Sequence, residues 1–174
     1  SHEFTPWLEV GANVSGNYIK NHQIPGANSG TTIIGRSIQQ RPFDRPYKPN
    51  GGYYTGGTDE LLLHNAVQIL SEETSYTDNY RFIGSFWAEA QIIKGLTVRA
   101  SYNNDSAYTY DYIYYNQNHP YAADKGRILD RNRFVMTNTI DLYANYNRKI
   151  GEDFELGAMV GHSFLKTRSR TSYI

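Results

Sequence analysis

The sequence predicts an all-β fold: a segment of an antiparallel transmembrane β-barrel, about five long strands with long extracellular loops. Three observations carry it. Apolar and polar residues alternate with period two over stretches well past ten residues, whereas typical strands run about 5–6. The connections switch regularly between tight turns and long links. The chain also combines 16 tyrosines and 14% aromatic residues with a mean hydropathy of -0.63. A sheet with one wet face and one aromatic-rich face reconciles those two numbers.

The strands follow in order. The first, about 5–19, sets Pro6, Leu8, Val10, Ala12, Val14, Gly16 and Tyr18 against Trp7, Glu9, Gly11, Asn13, Ser15 and Asn17. The second, about 79–93, gathers Phe82, Gly84, Phe86, Ala88, Ala90 and Ile92 on its even face, with Ser85, Trp87, Glu89 and Gln91 opposite. The third, about 96–115, carries Leu96, Val98, Ala100 and Tyr102, then Tyr108, Tyr110, Tyr112 and Tyr114. A membrane crossing needs about 9–11 residues, so this strand's upper tyrosines form a rim outside the membrane. The fourth, about 132–149, opposes Phe134, Met136, Ile140, Leu142, Ala144 and Tyr146 to Thr137, Thr139, Asp141, Asn145 and Asn147. The fifth, about 153–169, aligns Phe154, Leu156, Ala158, Val160 and Phe164.

Lys94–Gly95 reads as a two-residue hairpin turn, with Gly95 free to take positive φ, and Gly151–Asp153 as a second tight turn. A medium loop spans about 116–131 and a long outer loop about 21–78. The long loop holds Pro25, Pro42, Pro46 and Pro49 and two glycine pairs. "TTIIGRSIQQ" and "LLLHNAVQIL" within it have the length of short helices, although short apolar runs do not separate helix from strand.

Charge is balanced, 17 Lys plus Arg against 17 Asp plus Glu, which argues against a nucleic-acid partner. Without cysteine there are no disulfides and no cysteine-ligated metals. No signal-peptide pattern opens the sequence, and no apolar run approaches the ~18 residues of a membrane helix. His2, His22, His64, His119 and His162 show no metal-ligand spacing and read as loop or rim residues. Glu72–Glu73 reads as a solvated loop pair. "GGYYTGG" is a flexible aromatic loop, not a phosphate cradle. The expectation is therefore of no enzyme, no cofactor and no metal site.

Glu9, Trp87, Glu89, Arg99 and Asp141 fall on the polar face. They are candidates for contact with a barrel plug or substrate, or for lining a hydrated wall. Counting outward from a two-residue turn sets Arg99 opposite Ala90, with Glu89 diagonal and within reach. Phe43, Tyr47, Tyr53 and Tyr54 sit in the longest loop. Their rings suit a substrate, a lid or simple loop packing.

"FTPWLEVGANVSGNY", "QQRPFDRPYKPNGGYY", "NYRFIGSFWAEAQIIKGLTVRASYNND" and "DLYANYNRKIGEDFELGAMVGHSF", in that succession, resemble the SusC-like (RagA-type) branch of TonB-dependent outer-membrane transporters. The resemblance implies a plugged barrel of about 22 strands in the bacterial outer membrane. It implies import of oligosaccharides or peptides, a SusD-like surface lipoprotein as lid, and energy from the TonB complex acting on the plug. The sequence departs from that pattern in holding no plug, no TonB-contact segment and no terminal barrel strand. The expectation is a piece of the barrel, supplying wall and outer loops and bounded by outer-membrane lipid and the rest of the transporter. Two other readings compete: a small autonomous β-barrel or surface adhesion domain, and a soluble β-sandwich that binds carbohydrate.

Overall fold

The computed structural model describes residues 2–22, 33–54, 64–120, 122, 125–150 and 154–174. Six strands form one antiparallel sheet in the order β1-β2-β3-β4-β5-β6, which is not closed. They are β1 (His2–Thr5), β2 (Leu8–His22), β3 (Glu73–Ile93), β4 (Leu96–Tyr115), β5 (Arg127–Ile150) and β6 (Phe154–Tyr173). Two short helices overlap the two stretches of helical length: α1 (Ile33–Gln39) lies within the first, and α2 (Ala66–Glu72) begins inside the second and runs two residues past it. The expected turn at Gly151–Asp153 lies outside the described residues, as do Pro25 and the Gly56–Gly57 pair.

Several boundaries differ from the sequence reading, with β2 running on to His22 and β6 to Tyr173. Pro6 and Trp7 turn the chain, so the first long strand begins at Leu8 and the short β1 pairs back on it. A proline has no N–H to give a ladder, which suits a turn better than a strand interior. β3 starts at Glu73 and β5 at Arg127, both inside stretches expected to be loop. Each extension is rich in polar residues, so hydrophobic alternation could not have revealed it.

From β2 to β6 neighbouring strands keep one parity. Tyr18 lies beside Tyr80, Glu89 beside Arg99, Ser101 beside Asp141 and Thr137 beside Thr167. Odd residues meet odd ones and even meet even, so a single polar face and a single apolar face run across the sheet. This corrects the register expected at Lys94–Gly95. A plain two-residue turn would set odd positions of β3 against even positions of β4 and mix the faces. Ser85 with Asn103 and Thr77 with Asp111 instead share the register of Glu89 with Arg99. Gly95, at φ 91°, takes up the extra residue as three-residue hairpin loops do.

The contacts divide the chain into two compact units. A strand unit comprises Ser1–Tyr18, Asn79–Tyr108 and Arg133–Thr171; a loop unit comprises Ile19–Asp78, Thr109–Asn132 and Ser172–Ile174. The loop unit holds the small apolar core, Ile33, Ala66 and Ile69. In the strand unit Phe82, Phe86, Ile140, Leu142, Val160 and Phe164 are all exposed. Among the described residues no helix is long and apolar enough to cross a membrane.

Candidate functional site: a polar sheet face and a clamped loop cluster

The odd face of the strand unit is a hydrogen-bonded ladder centred on Asp141 of β5. Ser163 Oγ on β6 donates to its Oδ1 at 2.6 Å. Ser101 Oγ and the Asn103 amide on β4 each donate to Oδ2 at 3.3 Å. Asn103 Oδ1 accepts from Ser85 Oγ on β3 at 2.7 Å, so one network spans β3 to β6. Farther along the same face Arg81 clasps Asp105 with two parallel bonds, 2.9 Å from Nε and 2.6 Å from Nη2. Bidentate pairing of this kind fixes orientation as well as distance.

Nearer the Lys94–Gly95 turn, the Arg99 guanidinium stands 4.2 Å from the centre of the Trp87 ring and 3.5 Å from Glu89. Trp87 occupies the space over Gly11 of β2, where a Cβ would come within 2.5 Å of the indole. Glu9 shares an open recess with Trp7, Glu89, Gln91 and Thr97, and Gln91 N–H donates to Trp7 O at 2.8 Å. Four of the five residues picked from the polar face thus meet in one place, Glu9, Trp87, Glu89 and Arg99. The fifth, Asp141, belongs to the serine–asparagine network.

In the loop unit, residues 46–54 form a small hairpin. Gly51 N–H donates to Lys48 O at 2.9 Å, with Pro49 leading the turn and Gly51 at φ 84°. Tyr47 and Tyr53 face each other across it, ring centres 5.5 Å apart. Asn65 clamps this hairpin to α2. Its Oδ1 caps the helix by accepting from Val67 and Gln68 N–H, at 3.0 and 3.3 Å. Its amide donates to Pro46 O at 2.6 Å and Tyr54 O at 3.1 Å. The side chain is 1% exposed, and all four bonds reach backbone groups. Gln68 Nε2 then donates to Asn118 O at 2.7 Å, and Asn116 N–H to Glu72 O at 2.8 Å.

His119 Nε2 lies 3.6 Å from Glu73 Oε2, both side chains almost wholly buried, with the Tyr115 ring 4.6 Å from the imidazole. Burial pushes the Glu73 carboxyl up to about 7. Burial first, then the charge of His64, lowers His119 below its ordinary value. This corrects the solvated reading for Glu73, which opens a strand and turns its side chain into the cluster; His119 lies in a loop, as expected, with its side chain buried there. The loop aromatics divide likewise. Phe43 and Tyr47 are exposed, Phe43 with Arg41 4.8 Å over its ring, while Tyr53 and Tyr54 are half-buried in the hairpin.

No family model and no curated protein matches the sequence. Among solved structures, the chain is similar to chains of the RagAB peptide importer in its closed-closed state (TM-score 0.71) and its open-open state (TM-score 0.70), and of the RagAB peptide transporter (TM-score 0.73). Each is 22% identical and matches 98% of this chain. The chain folds as a segment of a RagA-like barrel. It spans 20% of the length of those chains, and at this identity the likeness is one of fold.

Several residues escaped the sequence reading. Arg81, Asp105, Ser101, Asn103 and Ser163 all have odd numbers and alternate with the apolar face, so parity alone could have nominated them. Arg131, which pairs with Asp111 on β4, lay within the stretch expected to be loop. The hairpin bonds of Asn65 and the Glu73–His119 pair had no such signal, because those partners are 11 to 46 positions away in sequence.

Proposed function

We propose that this chain is a wall and outer-loop segment of a TonB-dependent outer-membrane transporter that imports oligosaccharides or peptides with a SusD-like lipoprotein as partner. The observation that carries the reading is the division of the sheet into two faces. Even positions expose Phe82, Phe86, Leu142, Val160 and Phe164 with no protein over them, an arrangement that costs free energy in water and none in hydrocarbon. Odd positions present the Asp141 network and the Glu89–Arg99–Trp87 group, which suit a hydrated lumen. The likeness in fold to the RagAB chains supports the same reading.

In this reading Glu9, Trp87, Glu89, Arg99 and Asp141 face the plug or the passing substrate. Phe43 and Tyr47, with Tyr53 and Tyr54 behind them, meet substrate or lid. The open sheet edges at β1 and β6 pair with further strands of the same barrel, because unpaired strand edges are costly in lipid. The test is cysteine scanning of the whole protein in intact outer membranes. Cysteines at Phe86, Leu142 and Val160 should resist a water-soluble maleimide, and cysteines at Ser85, Ser101 and Ser163 should react. Reaction of the even set with protection of the odd set would refute the assignment.

A further inference from the structure

The apolar face of the strand unit ends on β6 in positive charge. Phe154, Leu156, Ala158, Val160 and Phe164 lie on that face, with His162 as the one polar interruption. They cover the length of one hydrocarbon crossing, about 9–11 residues. The next three positions on the same face are Lys166, Arg168 and Arg170. Their orientation is set by their neighbours: Ser163 bonds Asp141 and Thr167 Oγ1 lies 3.1 Å from Thr137 Oγ1, both on the polar face. Even residues therefore point the other way.

All three are exposed, and none has an acidic partner among the described residues. In the register of Thr137 with Thr167, Lys166 faces Asn138, Arg168 faces Met136 and Arg170 faces Phe134. The same sheet face has the composition of a membrane interface. Tyr80 stacks 4.7 Å from Tyr18 and 6.2 Å from Tyr108, and Tyr102 Oη and the Asn104 amide both donate to Asn138 Oδ1, at 2.7 and 2.8 Å.

We propose that Lys166, Arg168 and Arg170 form a binding stripe for the phosphate groups of an anionic lipid in the leaflet bounding the outer loops. The proposal rests on the membrane reading above. Charge selects the phosphate: side chains about 7 Å apart along a strand can each engage a separate oxygen cluster, the arginines with two bonds. Position selects the lipid, because the cations begin where the apolar crossing ends and their aliphatic stems can lie along acyl chains.

The whole protein is reconstituted in phosphatidylcholine nanodiscs containing a small fraction of bisphosphorylated lipid A, and the retained lipid A is counted by mass spectrometry. Dephosphorylated lipid A serves as the matched control. Wild type should enrich the phosphorylated form. Lys166→Gln/Arg168→Gln/Arg170→Gln should lose about a hundredfold of that enrichment, at about fivefold per charge removed. Each single Gln substitution should lose a graded part of it, and Arg168→Lys/Arg170→Lys should keep most of it. Equal retention by wild type and the triple variant would overturn the proposal, as would displacement of lipid A by inorganic phosphate. A wild-type protein that stays in the aqueous fraction would overturn the membrane reading itself, a failure visible before any lipid is counted.

Discussion

The strand unit and the loop unit solve opposite problems. Among the described residues every buried apolar side chain, Ile33, Ala66, Ile69 and Ala122, belongs to the loop unit, together with buried Asn65, Gln68, Ser75, Thr77 and His119. Among the described residues of the strand unit only Gly84 is buried, and large apolar side chains such as Phe86 and Val160 are exposed. The loop unit is built around a small core, with Asn65 making four hydrogen bonds inside it. On the reading proposed above, the strand unit is folded for hydrocarbon: its cohesion comes from the backbone ladder and from polar side chains on one face. The same alternating chemistry means a core in one solvent and a surface in the other, so burial must be judged against the medium.

The sharpest break of that contrast is Asn65→Ala. The substitution removes a helix cap and two donors to Pro46 and Tyr54 at a buried position. A seven-residue helix is marginal by itself, so its cap and packing decide whether it forms. The loop unit should lose about 3 kcal/mol, read by hydrogen exchange of the α2 and 46–54 amides. Exchange in the strand unit should not change. Equal loss of protection in both units would end the claim that they are held by separate means.

Next comes pH. The folded-state pKa of Glu73 is raised above its ordinary 4.5 to about 7, so its contribution is complete below pH 4.5 and is lost as pH rises through 7. His119 is lowered, so its contribution is complete above pH 6.5 and is lost as pH falls through the depressed value. Protection of α2 and residues 115–119 should therefore fall from pH 6 to pH 8, by on the order of 1–2 kcal/mol. Glu73→Gln should flatten that limb and leave the acid side to His119. An unchanged limb in Glu73→Gln would remove Glu73 from the account.

Gly95→Ala probes the strand unit at its turn. Its φ of 91° disfavours any Cβ by about 1–2 kcal/mol, and a Cβ there would run into Asn147 O, the carbonyl of the neighbouring strand. The expected result is a lower thermal midpoint of the folded barrel in detergent, followed by its heat-dependent shift in gel mobility. Tolerance of alanine there would mean that the register slip between β3 and β4 is taken up elsewhere.

The sheet was legible in the sequence because alternation is a local signal, and so were the two faces, the turn at Gly95 and the pairing of Glu89 with Arg99. Register was not, since a one-residue slip leaves each strand's own pattern untouched. The outer ends of β3 and β5 were hidden by polar residues such as Thr77 and Arg131, which pair across strands with Asp111 instead of alternating with apolar ones. The loop unit was least legible, because Asn65 and the Glu73–His119 pair depend on neighbours that only the fold supplies.

The smallest expected effect is the most informative about the polar face. Glu89 and Arg99 are each about one-third exposed, 36% and 32%, so solvent screens the pair and its contribution to stability should stay below about 1 kcal/mol. Arg99 also covers Trp87, and Trp87 fills the space above Gly11, so the three residues hold β2, β3 and β4 at one level through stacking as much as charge. Arg99→Lys keeps the charge but loses the flat face. Glu89→Gln removes the charge and leaves the stack. Arg99→Lys should therefore cost more than Glu89→Gln and should shift Trp87 fluorescence, while Glu89→Gln should leave the emission in place. The reverse order would mean that charge, not the indole, organises this part of the face, and Glu9 in the adjoining recess would then be the residue to examine beside Arg99.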